Sequence, residues 1–285
     1  MQFNANIDYI SRKNQYNIWY VVKQDMDFSK VCEAVKVLEE YQKLKPKMTL
    51  KEFMSDKITS NYRILGVARI YGLIRKKNIN CFKEGYKDCM ITDVYYEIKK
   101  RCNNDFKKVE NYYDILEQQI EKIYISSILD EKFNSYRKEC RLYPLFILYK
   151  VLIEIGRVYG EYKISYDEFI CFLSTTNKYS DYSKALYNIF VTRDSSINTR
   201  FDIKFKSLNT REDLRYHLIL KNLKHFNIDV DNNIVELDKK YIYYIQSKIF
   251  KFENIYYKNI INIDDLNQEV YLNNLCSNKS IFNLY

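Results

Sequence analysis

Residues 209–237 read NTREDLRYHLILKNLKHFNIDVDNNIVEL and divide into one helix and one tight hairpin. Asn209 or Thr210 caps the helix, and Glu212 or Asp213, three residues on, completes a capping box. At the helical repeat, Asp213, His217, Lys221 and Lys224 fall on one strip, with Arg211, Arg215 and Asn222 in a second polar sector. Tyr216, Ile219, Leu223 and Phe226 fill an apolar sector. Beyond them Ile228, Val230, Ile234, Val235 and Leu237 flank Asp231-Asn232-Asn233, a turn that suits a hairpin. A polar face of Arg, Asn and His is either a solvated surface or a face that meets an anionic partner. The rest of the chain has to decide which.

Working outward, the same succession of elements occurs twice. In the first half, residues 28–44 have Val31, Val35 and Leu38 at helical spacing, and Pro46 ends the helix. Thr49-Leu50-Lys51-Glu52 is a capping box that opens a second helix to about residue 57. A third helix is expected over 60–74, largely buried, with Tyr62, Gly66, Arg69 and Leu73 on its remaining strip. Glycine costs a helix about 1 kcal/mol relative to alanine, so Gly66 predicts close approach of another backbone. Residues 78–82 and 86–91, around Lys83-Glu84-Gly85, read as a hairpin. In the second half, residues 143–157 form an apolar helix and Ser165-Tyr166-Asp167-Glu168 is another capping box. KMTLKEFM at 47–54 matches KISYDEFI at 163–170, and residues 61–74 can be laid on 213–226 without gaps. Arg63 then answers Arg215, and Arg69 answers Lys221.

Helix, helix, helix, hairpin is the order of a winged helix-turn-helix, whose third helix enters the DNA major groove. The expected fold is therefore mainly α with small β wings (α+β), as two winged helix-turn-helix subdomains. The first spans 1–95 with an amino-terminal arm, a helical connector spans 96–139, and the second spans 140–285, where 241–285 brace it. The second copy carries an extra helix at 180–193 and a linker to residue 207, so that helix competes with 209–226 for the groove.

Composition bounds the function. The 285 residues carry a formal charge of +9 and 47% hydrophobic residues, which allows a sizeable core and an anionic partner. Lys, Asn, Ile, Tyr and Phe are abundant while Gly (5) and Pro (2) are scarce, a profile of A+T-rich codon usage. Net charge is therefore weaker evidence than where arginine is placed. The start, MQFNANIDYI, has no signal pattern, and the apolar run 143–155 is too short to span a bilayer and contains Lys150 and Glu154. A soluble, cytoplasmic protein without membrane contact is expected. The seven cysteines lack CxxC spacing, which argues against zinc and disulfide frameworks.

Two basic stretches adjoin the expected recognition elements. Residues 193–224 hold eight cations against four acids, and residues 75–110 hold ten against six. Phosphate-holding candidates are Lys76, Lys77, Arg200, Lys204 and Lys206. Base-reading candidates are Asn61, Tyr62, Arg63 and Arg69 in the first copy, and Asn209, Arg211, Arg215, His217 and Lys221 in the second. Arg12, Lys13, Asn14 and Gln15, without an acid among them, would form the arm. Catalytic patterns are weaker. Asp88 with Glu97-Ile98-Lys99, and Asp229 or Asp231 with Asp238-Lys239-Lys240, have the carboxylate and lysine types that a Mg²⁺ nuclease needs. The first set spans a hairpin and a helix, and the second sits on a wing. His217 and His225 are the only histidines, and neither has convincing metal-ligand spacing.

With helix 2 reading Ser-x-x-Glu-Phe at 165–169 and helix 3 reading Arg-x-x-Leu-Arg-Tyr at 211–216, the chain resembles the DNA-recognition half of modular type II restriction endonucleases of the FokI/AlwI kind. The resemblance implies a monomeric recognition domain that reads a short asymmetric site in double-stranded DNA through the major groove. It also implies that cutting and dimerisation belong to a separate PD-(D/E)xK nuclease domain using Mg²⁺. On this chain it implies no catalytic residue, metal or cofactor. The rival readings are a winged-helix replication initiator that binds repeats, a complete Mg²⁺ nuclease using Asp88, Glu97 and Lys99, and a helical protein-interaction module.

Overall fold

A computed structural model of the chain describes residues 26–76, 85–126, 141–174, 176–194, 216–260, 263 and 266–284. The chain is mainly helical with small antiparallel sheets, and it forms two compact units. The first holds the described residues of Val22–Ile123 and Leu266–Tyr285, and the second those of Tyr124–Asp265.

The first unit begins with α1, Phe28–Leu44, which Asp27 caps by accepting from the Lys30 amide at 3.0 Å. Its buried stripe is Val31, Val35 and Leu38, as helical spacing demands. The turn to α2, Leu50–Lys57, is fixed by the full Thr49/Glu52 capping box. The third helix is shorter than expected. A 3-10 turn at Tyr62–Ile64 leads into α3, Leu65–Ile70, and the chain then bends at Gly72. Gly72 sits at φ +66°, and a Cβ there would lie 2.5 Å from the Leu275 carbonyl oxygen. The helix stops in a local glycine cap, in which the Leu73 amide donates to the Ala68 carbonyl at 2.9 Å and the Gly72 amide to the Arg69 carbonyl at 3.1 Å. A two-residue ribbon follows, β1 Ile74–Arg75 antiparallel to β2 Met90–Ile91. Residues 86–88, expected as strand, instead form a 3-10 turn, and 77–84 lie outside the described residues.

The stretch expected to be a connector belongs in part to this unit's core. Helices α4, Asp93–Arg101, and α5, Tyr113–Glu121, bury Tyr95, Ile98, Leu116 and Ile120. The tail also differs from expectation: 266–284 join the first unit and do not brace the second. Gln119 on α5 donates to both the Tyr71 and Leu275 carbonyls at 2.8 Å, which satisfies a buried amide and ties the tail to the bend after α3. Arg75 reaches Asn273 at 2.7 Å, and Lys122 reaches the Ser277 carbonyl at 2.6 Å.

The second unit opens with the short pair β3 Ile125–Ser126 and β4 Arg141–Leu142. Helix α5 is followed in chain order by α6, Pro144–Tyr159, whose proline stands at the helix start where a missing N–H costs nothing. Strand β5, Lys163–Ser165, runs into α7, Tyr166–Glu168, through the Ser165/Glu168 capping box, and the helix continues as a π-helical turn at Phe169–Leu173. The extra helix is α8, Tyr182–Asp194. Of the expected 209–226 helix, 209–215 lie outside the described residues and α9 covers Tyr216–Leu220. Phe226 is not helical but starts β6, Phe226–Asp229, which turns into β7, Ile234–Leu237. The hairpin register pairs Asp229 with Ile234, and β5 adds on the other side of β7, pairing Ile164 with Val235. The sheet order is thus β5-β7-β6. Helix α10, Ile242–Lys258, lies on α6 with Phe252 stacked on Phe146 at 4.1 Å between ring centroids. The C-terminal helix of the first unit is α11, Gln268–Leu275.

Candidate nucleic-acid interface

In the second unit, α9 is seated by its apolar side. Tyr216, Ile219, Leu220 and Leu223 are buried, and burial of Ile219 or Leu223 stabilises by about 1.5–3 kcal/mol each. Lys221 and Lys224 point outward just past the helix end. Asn222, from the second polar sector, is used internally: its amide donates to the Leu218 and Ile219 carbonyls at 3.3 and 3.0 Å and closes the helix. The His217 side chain lies outside the described residues, as do Asn209, Arg211 and Arg215.

The β6–β7 hairpin is anchored from below. His225, 1% exposed, lies 2.6 Å through Nε2 from Tyr149 Oη on α6. The Phe226 and Tyr241 rings flank it at 5.0 and 6.0 Å. Burial, helped by the nearby Lys248 charge, holds the imidazole neutral and pushes its pKa down to about 3. His225 therefore secures the start of β6 to α6. At the hairpin tip, Asp229 accepts from the Asn232 side chain at 2.7 Å and its amide at 2.9 Å, which holds the carboxyl below its ordinary range. Asp238 accepts from the Lys240 amide at 3.0 Å and pairs with its ammonium at 2.8 Å. The second catalytic-looking pattern is made of a turn and a cap.

Helix α8, the alternative that the sequence offered for the groove, spends its arginine inside the fold. Arg193 grips Glu168 with Nε to Oε1 at 2.7 Å and a terminal nitrogen to Oε2 at 2.8 Å, and donates to the Lys163 carbonyl at 3.0 Å. The guanidinium also lies 5.1 Å from the Tyr159 ring centroid. It thereby ties α8 to the start of α7.

In the first unit, the strip Tyr62, Gly66, Arg69 is overlaid by Tyr86 from the 3-10 turn. A Cβ on Gly66 would lie 3.0 Å from Tyr86 Oη, so the close approach is a side chain and not the expected backbone. The Tyr62 ring meets Tyr86 edge-on at 6.5 Å. Burial raises the Tyr86 pKa, with the Arg69 charge opposing it. Lys76 is 6% exposed, its ammonium 4.6 Å from the Tyr86 ring centroid, so its charge is covered by an aromatic face and not presented to solvent. Gln42 fixes this turn by donating to the Lys87 and Cys89 carbonyls at 2.9 and 2.8 Å. Asn61 caps the Arg63 amide at 3.0 Å, Arg63 is exposed, and Arg69 is half-buried beside Tyr86. Arg12, Lys13, Asn14, Gln15, Lys77, Arg200, Lys204 and Lys206 lie outside the described residues.

The first catalytic pattern does not converge. Glu97 and Lys99 are two apart on α4, which turns their side chains roughly 200° from each other. Glu97 pairs with Arg101 at 2.8 Å, and Arg101 also holds both oxygens of Asp114. Lys99 pairs with Glu39 at 2.6 Å, and Asp88 is exposed on the 3-10 turn. A polar cleft of about 180 Å³ beside Glu97, Arg101 and Asp114 is lined by these ion-paired groups. Among the described residues no group of three His, Cys, Asp or Glu is placed to hold a metal ion, and no helix is long and apolar enough to cross a membrane.

One basic feature escaped the sequence reading: the turn between α1 and α2 with the helix ends that flank it, where residues 43–51 hold four lysines and no acid. A charge count in a nine-residue window would have flagged it. No protein-family model, curated protein or solved structure matches the chain.

Proposed function

We propose that the chain binds double-stranded DNA in a sequence-specific manner, with α9 and the residues that lead into it as its reading element. One observation carries the proposal: the connectivity of the second unit. Its order is helix α6, strand β5, helix α7, the inserted α8, helix α9, then strands β6 and β7, with β5 on the far side of β7 from β6. That order and pairing support a winged helix-turn-helix reading, in which the last helix before the hairpin enters the major groove. Supporting it, α9 buries its apolar side, Lys221 and Lys224 are exposed, and the hairpin is anchored by His225. Arg193, the arginine of α8, is held by Glu168. Arg211 and Arg215, outside the described residues, are the base readers in this proposal, and each bidentate arginine–guanine pair supplies about 1–3 kcal/mol of discrimination.

The finer reading follows the resemblance. The chain serves as the target-recognition part of a type II restriction endonuclease, acts in the cytoplasm, and leaves Mg²⁺-dependent cutting to a separate nuclease domain. The first unit contributes less to base reading than the second, because Tyr86 covers the strip that Arg69 shares. The test is Arg215→Ala. It should lower affinity for the selected target at least tenfold more than affinity for random duplex, and an equal loss on both removes base reading from Arg215. Cleavage of DNA by the purified chain with Mg²⁺ would overturn the assignment of catalysis to another domain.

A further inference from the structure

The turn between α1 and α2 is built as a charged projection. Helix α1 ends when Lys45 adopts the left-handed conformation, φ 46° and ψ 53°, and donates to the Tyr41 carbonyl at 2.9 Å. Pro46 follows and fixes the next φ. Tyr41 then donates from its hydroxyl to the Met48 carbonyl at 3.1 Å and meets the Phe53 ring edge-on at 5.4 Å, which pins the turn between the two helices. Lys45, Lys47 and Lys51 are exposed and have no carboxylate partner among the described residues. Lys43 is mostly exposed as well, though its ammonium reaches Glu39 at 2.6 Å.

Two comparisons within the molecule give this turn meaning. The other non-glycine residues with positive φ among the described ones are Asn103, Asn104 and Asn233, the type that tolerates that region. Lys45 is the exception. The equivalent helix end in the second unit makes the same backbone bond, Gly160 N–H to the Gly156 carbonyl at 2.9 Å, and uses glycine at φ 74°. That second turn is also electrically neutral, because Glu161 pairs with Lys163 at 2.7 Å. The first unit thus keeps a lysine where glycine suits the backbone, beside two more unpaired lysines. Strained residues of this kind persist where the side chain is used.

We infer that Lys45, Lys47 and Lys51 form a sequence-blind docking point for the phosphate backbone of a nucleic acid duplex, separate from the base-reading helix of the second unit. The partner class rests on the DNA-binding reading proposed above, whereas the site does not. Lysine ammonium groups held on a rigid turn neutralise phosphates and release counterions, without reading bases. Leu44 and Met48 are exposed here at 67% and 42%, but two apolar side chains separated by Pro46 do not make the continuous apolar face that membrane docking uses.

The test uses the full chain and a duplex of arbitrary sequence, with affinity measured across a salt series. The triple variant Lys45→Gln, Lys47→Gln, Lys51→Gln should flatten the slope of log affinity against log salt by about 2.7, at about 0.9 per phosphate contact. Lys279→Gln, an exposed lysine elsewhere, should leave the slope unchanged. Lys45→Gly alone should raise the thermal midpoint by about 1–3 °C while flattening the slope by about 0.9, a gain in stability coupled to a loss in binding. A wild-type slope in the triple variant overturns the inference while leaving the DNA-binding reading intact. Failure of the wild-type chain to retard any duplex at low salt overturns both. Loss of binding to phosphatidylserine vesicles, with duplex binding unchanged, would reassign the turn to a membrane surface.

Discussion

Mild acid should loosen the seat of the β6–β7 hairpin, and the size of the effect follows from one side chain. His225 is buried against Tyr149 and its pKa is pushed from 6.5 to about 3. In the unfolded chain the same imidazole takes up a proton below about pH 6.5. Between those values the unfolded state binds more protons, so stability rises with pH and is lost on acidification. The loss is about 1.4 kcal/mol per pH unit, or about 2 kcal/mol between pH 6.5 and 5.0. That is a large fraction of a typical domain stability of about 5–15 kcal/mol. The assay is urea unfolding followed by circular dichroism at both pH values, for the wild-type chain and His225→Gln. Carboxylates titrate in both proteins, so the difference between their pH dependences isolates the histidine. The wild type should lose about 2 kcal/mol more than the variant over this interval. Parallel losses in the two proteins would refute the claim that His225 is held neutral beneath the hairpin.

Other expectations follow from single contacts. Glu168→Ala removes both the partner of Arg193 and the Ser165 capping box, and should cost about 2–4 kcal/mol in urea unfolding; a loss under about 1 kcal/mol would show that α8 is held by other contacts. Gly72→Ala places a Cβ against the Leu275 carbonyl at positive φ, and should increase hydrogen exchange in α11 along with α3; unchanged exchange in α11 would contradict the packing described. Lys206→Ala should weaken binding to target and random duplex about equally and flatten the salt slope by about one, and a selective loss on target would move Lys206 into base reading.

Local chemistry was legible in the sequence and distant packing was not. The Thr49/Glu52 and Ser165/Glu168 boxes and the hairpin turn at Asp231-Asn232-Asn233 depend on residues three to five apart, and each forms as its spacing predicts, although β6 starts two residues earlier than expected, at Phe226. The third helix ends early in a local cap at Gly72, but the packing of Leu275, some two hundred residues away, against that glycine is encoded by no periodicity. The same holds for the placement of α11 in the first unit and of Tyr86 over Gly66. Charged candidates were the least legible. Arginine and lysine types identify cations, but whether a cation meets a partner depends on burial. Arg193 is clamped by Glu168 and Lys76 lies against Tyr86, whereas Lys45 projects from a turn that periodicity passed over.

The central claim is that this chain reads a DNA sequence, and it is tested most directly by selecting bound duplexes from a random pool with the full 285-residue chain. The account predicts enrichment of one short asymmetric motif, with enrichment lost in Arg215→Ala and retained in the Lys45, Lys47, Lys51 triple variant. Recovery of a pool with no enriched motif, although duplex is retained, would contradict sequence reading and leave only backbone binding.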